Sequence, residues 1–134
     1  MKALSFKQPW AWAIFNGKPV DNRSRRTNYR GPLLIHASQT FDEQGFFWLA
    51  ARQNKLGIEL PFFSTDYPTG ILGQANLIDC VMYHPSPWFF GPYGYVLDDS
   101  LKFDEPIAYP GKPWIFEVPD SLVQNIQSSI GNRK

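Results

Sequence analysis

Gln8-Pro9-Trp10-Ala11-Trp12-Ala13-Ile14-Phe15-Asn16-Gly17-Lys18-Pro19-Val20-Asp21-Asn22-Arg23 reads as a short helix that turns directly into a strand. Pro9 stands where a first helical residue belongs, since its fixed φ suits that position and its missing N–H costs nothing there. Trp10, Ala13 and Ile14 recur at helical spacing and form an apolar stripe. The helix is expected to run to about Asn16 and to stop at Gly17, which takes the left-handed conformation cheaply. Val20 to Arg23 is then a strand. Alternate residues of a strand face opposite ways, so Asp21 and Arg23 share one side and Val20 and Asn22 the other.

Outward from this stretch, Ala3 to Phe6 forms a strand before it, and Thr27 to Pro32 a loop after it. Leu33 to Ala37 is too apolar for either face to be solvent-exposed, which marks an interior strand. Phe41 to about Lys55 has helical spacing at Phe41, Gly45, Trp48, Leu49 and Arg52, with Gly57 as a stop. Leu60 to Thr69 is a loop. Ile71 to Tyr83 is a long strand, in which Gly73 signals a bulge or the close approach of another backbone. His84 to Gly94, rich in Pro, Gly and aromatics, is an ordered loop suited to flanking a site. Tyr95 to Asp98 and Pro113 to Val118 complete the strands. Asp120 caps a short last helix, and residues 128–134 form a fraying tail.

The 12 Pro and 10 Gly among 134 residues disfavour long helices. The expected class is α+β, mainly β, in one domain over residues 1–127 whose core is rich in aromatic rings. Cys80 is the only cysteine, so no internal disulfide can form. The chain opens without the apolar run of a secretory signal and nowhere holds the roughly 20 apolar residues of a membrane span. A cytoplasmic protein with no membrane partner is expected.

Net charge is +1, yet Lys18, Arg23, Arg25, Arg26 and Arg30 face the single acid Asp21 between positions 18 and 30. A local basic excess on a nearly neutral chain points to a focused anionic ligand. Arg23 offers a planar fork for phosphate or a base edge, and Asp21 an acceptor for a base amino group. The alternative is a surface ion pair. Lys18 becomes a catalytic amine if burial beside Arg23 lowers its proton affinity, an effect that Asp21 opposes. Arg25, Arg26 and Arg30 with the interleaved Tyr29 form a candidate loop for phosphate contact and base stacking, or else a solvated basic loop. One of Trp10 and Trp12 is expected in the core, with the other lining the pocket as a stacking platform or else buried in the core as well. Gln8, at the head of the stretch, belongs to the candidate ligand-binding set.

His36 and Ser38 share one side of their strand, either as a base and nucleophile pair with nothing nearby to complete a triad or, the commoner case, as a satisfied histidine and a helix-capping serine. Cys80 and His84 fall short of a zinc set, and Cys80 is expected to be buried and inert. Neither metal nor cofactor is expected.

The segments Leu4-Ser5-Phe6-Lys7-Gln8-Pro9-Trp10, Gly17-Lys18-Pro19-Val20-Asp21-Asn22-Arg23-Ser24 and Tyr29-Arg30-Gly31-Pro32-Leu33-Leu34-Ile35-His36-Ala37-Ser38, taken in order, resemble the ASCH domain family. Gly91 to Leu97 and Pro106 to Lys112 look like its closing segments. The resemblance implies a PUA-like pseudo-barrel of mixed strands with a few short helices and a ligand cleft beside the first helix. It implies an RNA or modified-nucleoside binder, with Asp21 in place of the family's usual glutamate. Some small members are amidohydrolases on acylated cytidine, and Lys18-x-x-Asp21-x-Arg23 resembles their catalytic stretch, although Asp21 stands where that branch has threonine. A hydrolase or ribonuclease using Lys18 and Asp21 is therefore the alternative, and a protein-interaction domain a further one.

Overall fold

Leu33 to Ala37 is buried residue for residue, as an almost unbroken apolar run in the middle of a sheet must be. Its surroundings are seen in a computed structural model that describes residues 1–61, 63, 64 and 66–124. The expected tail and residues 125–127 lie outside the described residues. Six strands and short helices follow one another: β1 (Lys2–Gln8), α1 (Trp10–Ile14), β2 (Val20–Arg23), β3 (Gly31–Phe41), α2 (Glu43–Ala50), α3 (Gln53–Leu56), β4 (Gly70–Val81), β5 (Tyr93–Ile107) and β6 (Ile115–Glu117). A last helical turn occupies residues 120–124. The class is α+β, mainly β.

The strands form one mixed sheet in the order β2-β5-β4-β3-β1-β6. Only β1 and β3 run parallel, with Ala3 opposite Leu34 and Phe6 opposite Ala37. Both faces of this central pair are covered. Leu4 and Phe6 of β1 join Leu33, Ile35 and Ala37 of β3 on one face, under Ala11 and Ile14 of α1. Ala3 and Leu34 turn to the other face and pack with Ile71, Phe103, Phe116 and Val123. A third cluster, around Leu49, Ile58 and Trp88, joins α2 and the loop after β4 to the far side of α1.

The sheet is rolled. In the ladder β2 lies at one edge and β1 beside the other, yet Arg23 of β2 donates from Nη2 to the Ser5 carbonyl of β1 at 2.9 Å. Three register shifts along the β4–β5 pairing account for the bend, because bulges sharpen local twist. Gly73 sits at the first of these. A Cβ there would run into the Leu101 carbonyl oxygen and stand 2.8 Å from the Phe15 ring, so the expected close backbone approach is present.

Four local readings change. The first helix ends at Ile14, two residues before Asn16. The segment 41–55 divides: Phe41 closes β3, and Asp42 caps α2 by accepting the Gly45 N–H on its side chain. The chain then turns at residues 51–52 into α3, which ends at Gly57 with φ 68°. Strand β5 continues through residues 99–107, where Phe103 is the only buried residue and the apolar alternation is confined to Leu101 and Phe103. Cys80 is half-buried rather than buried, because Ile78 and Met82 beside it face outward as β4 leaves the core. Among the described residues no helix is long and apolar enough to cross a membrane.

Gly73→Ala should lower stability by about 1–3 kcal/mol, since the obstacle is backbone and cannot swing aside. A urea titration checks this as a reduced midpoint at unchanged slope.

Candidate functional site

Gly17, at φ 101°, turns the chain out of α1 and delivers Lys18 and Pro19 to the start of β2. Lys18 is thereby drawn inward and is only 5 % exposed. Its Nζ stands 2.9 Å from Asp21 Oδ1 and 4.7 Å from the centre of the Trp10 ring. Arg23 approaches the same carboxylate from the other side, with Nε 2.6 Å from Oδ2. Its guanidinium lies 4.8 Å from the Phe6 ring centre. The shared orientation of Asp21 and Arg23 on the strand thus becomes a direct bond. Both Asp21 oxygens are occupied.

Burial pushes the Asp21 carboxyl upward, but Lys18 and Arg23 outweigh it and hold the group below the usual carboxylate range. A depressed carboxyl adds stability above its ordinary value and loses it as pH falls through the folded one.

The triad lies in a cleft of about 490 Å³, whose other walls are Ser5, Phe6, Lys7, Trp10, Asn22, Ser38, Asp42 and Phe90. Trp10 is fixed by its indole N–H, which donates to Asp42 Oδ2 at 2.8 Å, while Asp42 Oδ1 caps α2. A Cβ at Gly45 would meet the Trp10 ring at 2.8 Å, so this glycine lets the indole lie against α2. Asn22 ties the loop after β4 to β2. Its Nδ2 donates to the Trp88 carbonyl, and its Oδ1 accepts from the Phe90 and Gly91 amides. Phe90 is held at the mouth in this way and remains 62 % exposed.

Of the residues singled out from sequence, Trp10, Lys18, Asp21, Arg23 and Ser38 come together here. The others lie elsewhere. Gln8 is a buried strut, accepting the Trp12 N–H and donating to the Pro68 carbonyl. Both tryptophans pack against the third cluster, and Trp10 alone of the two also lines the cleft. Arg25 stacks on Trp114 at 4.3 Å. Arg30 donates to the Thr27 and Tyr29 carbonyls and lies 3.6 Å from Asp79. Tyr29 is held by the Pro32 carbonyl. His36 borders a second cleft, of about 870 Å³, and Ser5 and Ser38 line both clefts.

Sequence reading missed Ser5, Phe6, Lys7, Asn22, Asp42 and Phe90. Only Asp42, a good N-cap residue ahead of α2, and Phe90, in a loop suited to flanking a site, left a signal. Among the described residues no group of three or more His, Cys, Asp or Glu gathers as a metal site. Chemically, the cleft is lined by three cations, Lys7, Lys18 and Arg23, two carboxylates, Asp21 and Asp42, and the rings of Phe6, Trp10 and Phe90. Such a cleft suits a planar group that carries negative charge. In comparisons with known proteins the chain matches no family model and no curated protein.

Asp21→Asn leaves Lys18 buried opposite an amide and should cost about 3–5 kcal/mol, the usual effect of breaking a buried pair. Urea midpoints measured against pH separate its two roles. The native chain should lose stability as pH falls below about 4, and the variant, already weaker, should lack that part of the decline.

Proposed function

We propose that this cleft binds a nucleoside, a nucleotide or a single-stranded stretch of RNA, the ligand class implied by the resemblance of these segments to the ASCH domain. The observation that carries the reading is the convergence of Lys18, Asp21 and Arg23 with Trp10 in one open cleft. A guanidinium has five N–H donors. Arg23 commits Nε to Asp21 and Nη2 to Ser5, and its side chain is still 25 % exposed, so it has donors to offer a phosphate. Lys7, exposed on the rim, adds a second cation at solvent level. Trp10 and Phe90 provide ring faces on which a base stacks without regard to its identity.

In this reading Asp21 is a positioning residue. Its two oxygens hold the two cations, and the residue is only 5 % exposed. The same geometry disfavours the hydrolase in which Lys18 and Asp21 do the chemistry, because each is the other's partner in a dry setting.

Fluorescence titration with nucleotides and short single-stranded RNA at two salt concentrations tests the proposal. Binding should quench tryptophan emission and weaken with salt. Lys7→Ala, a surface change, should reduce the salt slope by about one without altering stability. Trp10→Ala should cost about 1–3 kcal/mol of binding. Absence of binding at low salt, or affinity indifferent to Trp10 and Arg23, would overturn it.

A further inference from the structure

Between the two clefts, Ser5 Oγ and His36 Nδ1 lie 2.6 Å apart. The other ring nitrogen, Nε2, is 2.7 Å from the backbone carbonyl oxygen of Tyr109. A carbonyl oxygen only accepts, so in the neutral ring Nε2 carries the hydrogen and Nδ1 presents a lone pair. The Ser5 hydroxyl therefore donates into Nδ1. The imidazole is 3 % exposed and held edge-on to Phe116, with ring centres 5.9 Å apart, which leaves it little freedom to turn away. Ser5 itself is only half-buried and faces both clefts. A serine bonded to a base whose far side is fixed by a third group is the arrangement that activates a hydroxyl.

We propose that Ser5 is an acyl-accepting nucleophile, with His36 as its general base and the Tyr109 carbonyl as the group that fixes the tautomer. This goes beyond the binding reading and does not depend on it. The Ser5 Oγ–H proton passes to His36 Nδ1 as Oγ bonds to the acyl carbon of an ester. The tetrahedral adduct collapses by breaking the bond to the leaving oxygen or sulfur, which takes the proton from Nδ1. Water then adds to the acyl–Oγ ester, giving its proton to Nδ1. Departure of Oγ, which recovers that proton, releases the carboxylic acid. Arg23 donates from Nη2 to the Ser5 backbone carbonyl, which holds the backbone of the nucleophile in place.

The geometry also selects the substrate class. A neutral carbonyl stabilises the imidazolium of the intermediate less than a carboxylate does, so the chemistry requires a good leaving group. Aryl esters and thioesters meet that need, and ordinary amides do not. Gly111 lies closely against the pair, and only its lack of a side chain keeps Oγ in position. A Cβ at this exposed position would stand 2.7 Å from Ser5 Oγ and 2.8 Å from His36 Cε1.

The test is reaction of the full chain with p-nitrophenyl acetate and with a fluorophosphonate, followed by intact-mass and peptide mapping. A single adduct on Ser5 is expected, with a burst of p-nitrophenolate. Ser5→Ala should abolish the adduct, and His36→Gln should slow its formation by about 10²–10⁴-fold. Because His36→Gln disturbs a buried site, Gly111→Ala serves as the second variant. It keeps the hydroxyl and the imidazole chemically intact and should slow labelling on the order of 10²-fold by displacing Oγ from His36. The proposal is overturned if the folded wild-type chain gains no adduct, if the adduct maps to a lysine or tyrosine, or if Ser5→Ala labels as the wild type does.

Discussion

The Asp21 carboxylate, gripped by Lys18 on one oxygen and Arg23 on the other, is the interaction on which the rest of this structure depends. A lysine withdrawn from water is tolerated only beside a counter-charge, and a buried carboxylate only where its lone pairs are met. The three groups satisfy one another within a six-residue span that includes the four-residue edge strand β2. Arg23 then reaches across to Ser5 of β1. One carboxylate thus orients the guanidinium that links the two ends of a rolled sheet.

The roll has its own cause in the bulged pairing of β4 with β5, and it makes β1 a wall shared by two clefts. On one side Ser5 stands beside the cationic triad and Trp10. On the other it meets His36, whose ring bonds to the Tyr109 carbonyl on the segment leading to β6. Small residues permit this crowding. Gly45 admits the Trp10 ring, and Gly111 admits the serine and histidine, each at a distance where one more carbon would collide.

Several of these features were legible in the residues alone. The two-residue period of a strand placed Asp21 and Arg23 together, and Gly17 marked the turn that brings Lys18 to them. Gly73 announced a close backbone contact, and the unbroken apolar run announced β3. The misreadings have physical causes. Phe41 and Asp42 lie within an apparently helical pattern, but the carboxylate stops one element and starts the next. The second half of β5 is held by ladder hydrogen bonds while burying little beyond Phe103, and its alternation is only the short run Ser100-Leu101-Lys102-Phe103-Asp104 ahead of Pro106. The arginines after Arg23 look continuous with it in sequence. Their partners, Trp114 for Arg25 and two backbone carbonyls for Arg30, draw them away from the cleft.

The sequence by itself determined the class of fold, the burial of the central strand and the pairing of Asp21 with Arg23, because these follow from local period and from chemistry between near neighbours. Tertiary structure alone decided which distant residues share a site. Ser5 meets His36 across 31 positions, Trp10 meets Asp42 across 32, and Asn22 holds the loop that carries Phe90 across 68. Such contacts depend on strand pairing, which sets Ser5 of β1 opposite His36 of β3, and on packing between elements far apart in the chain.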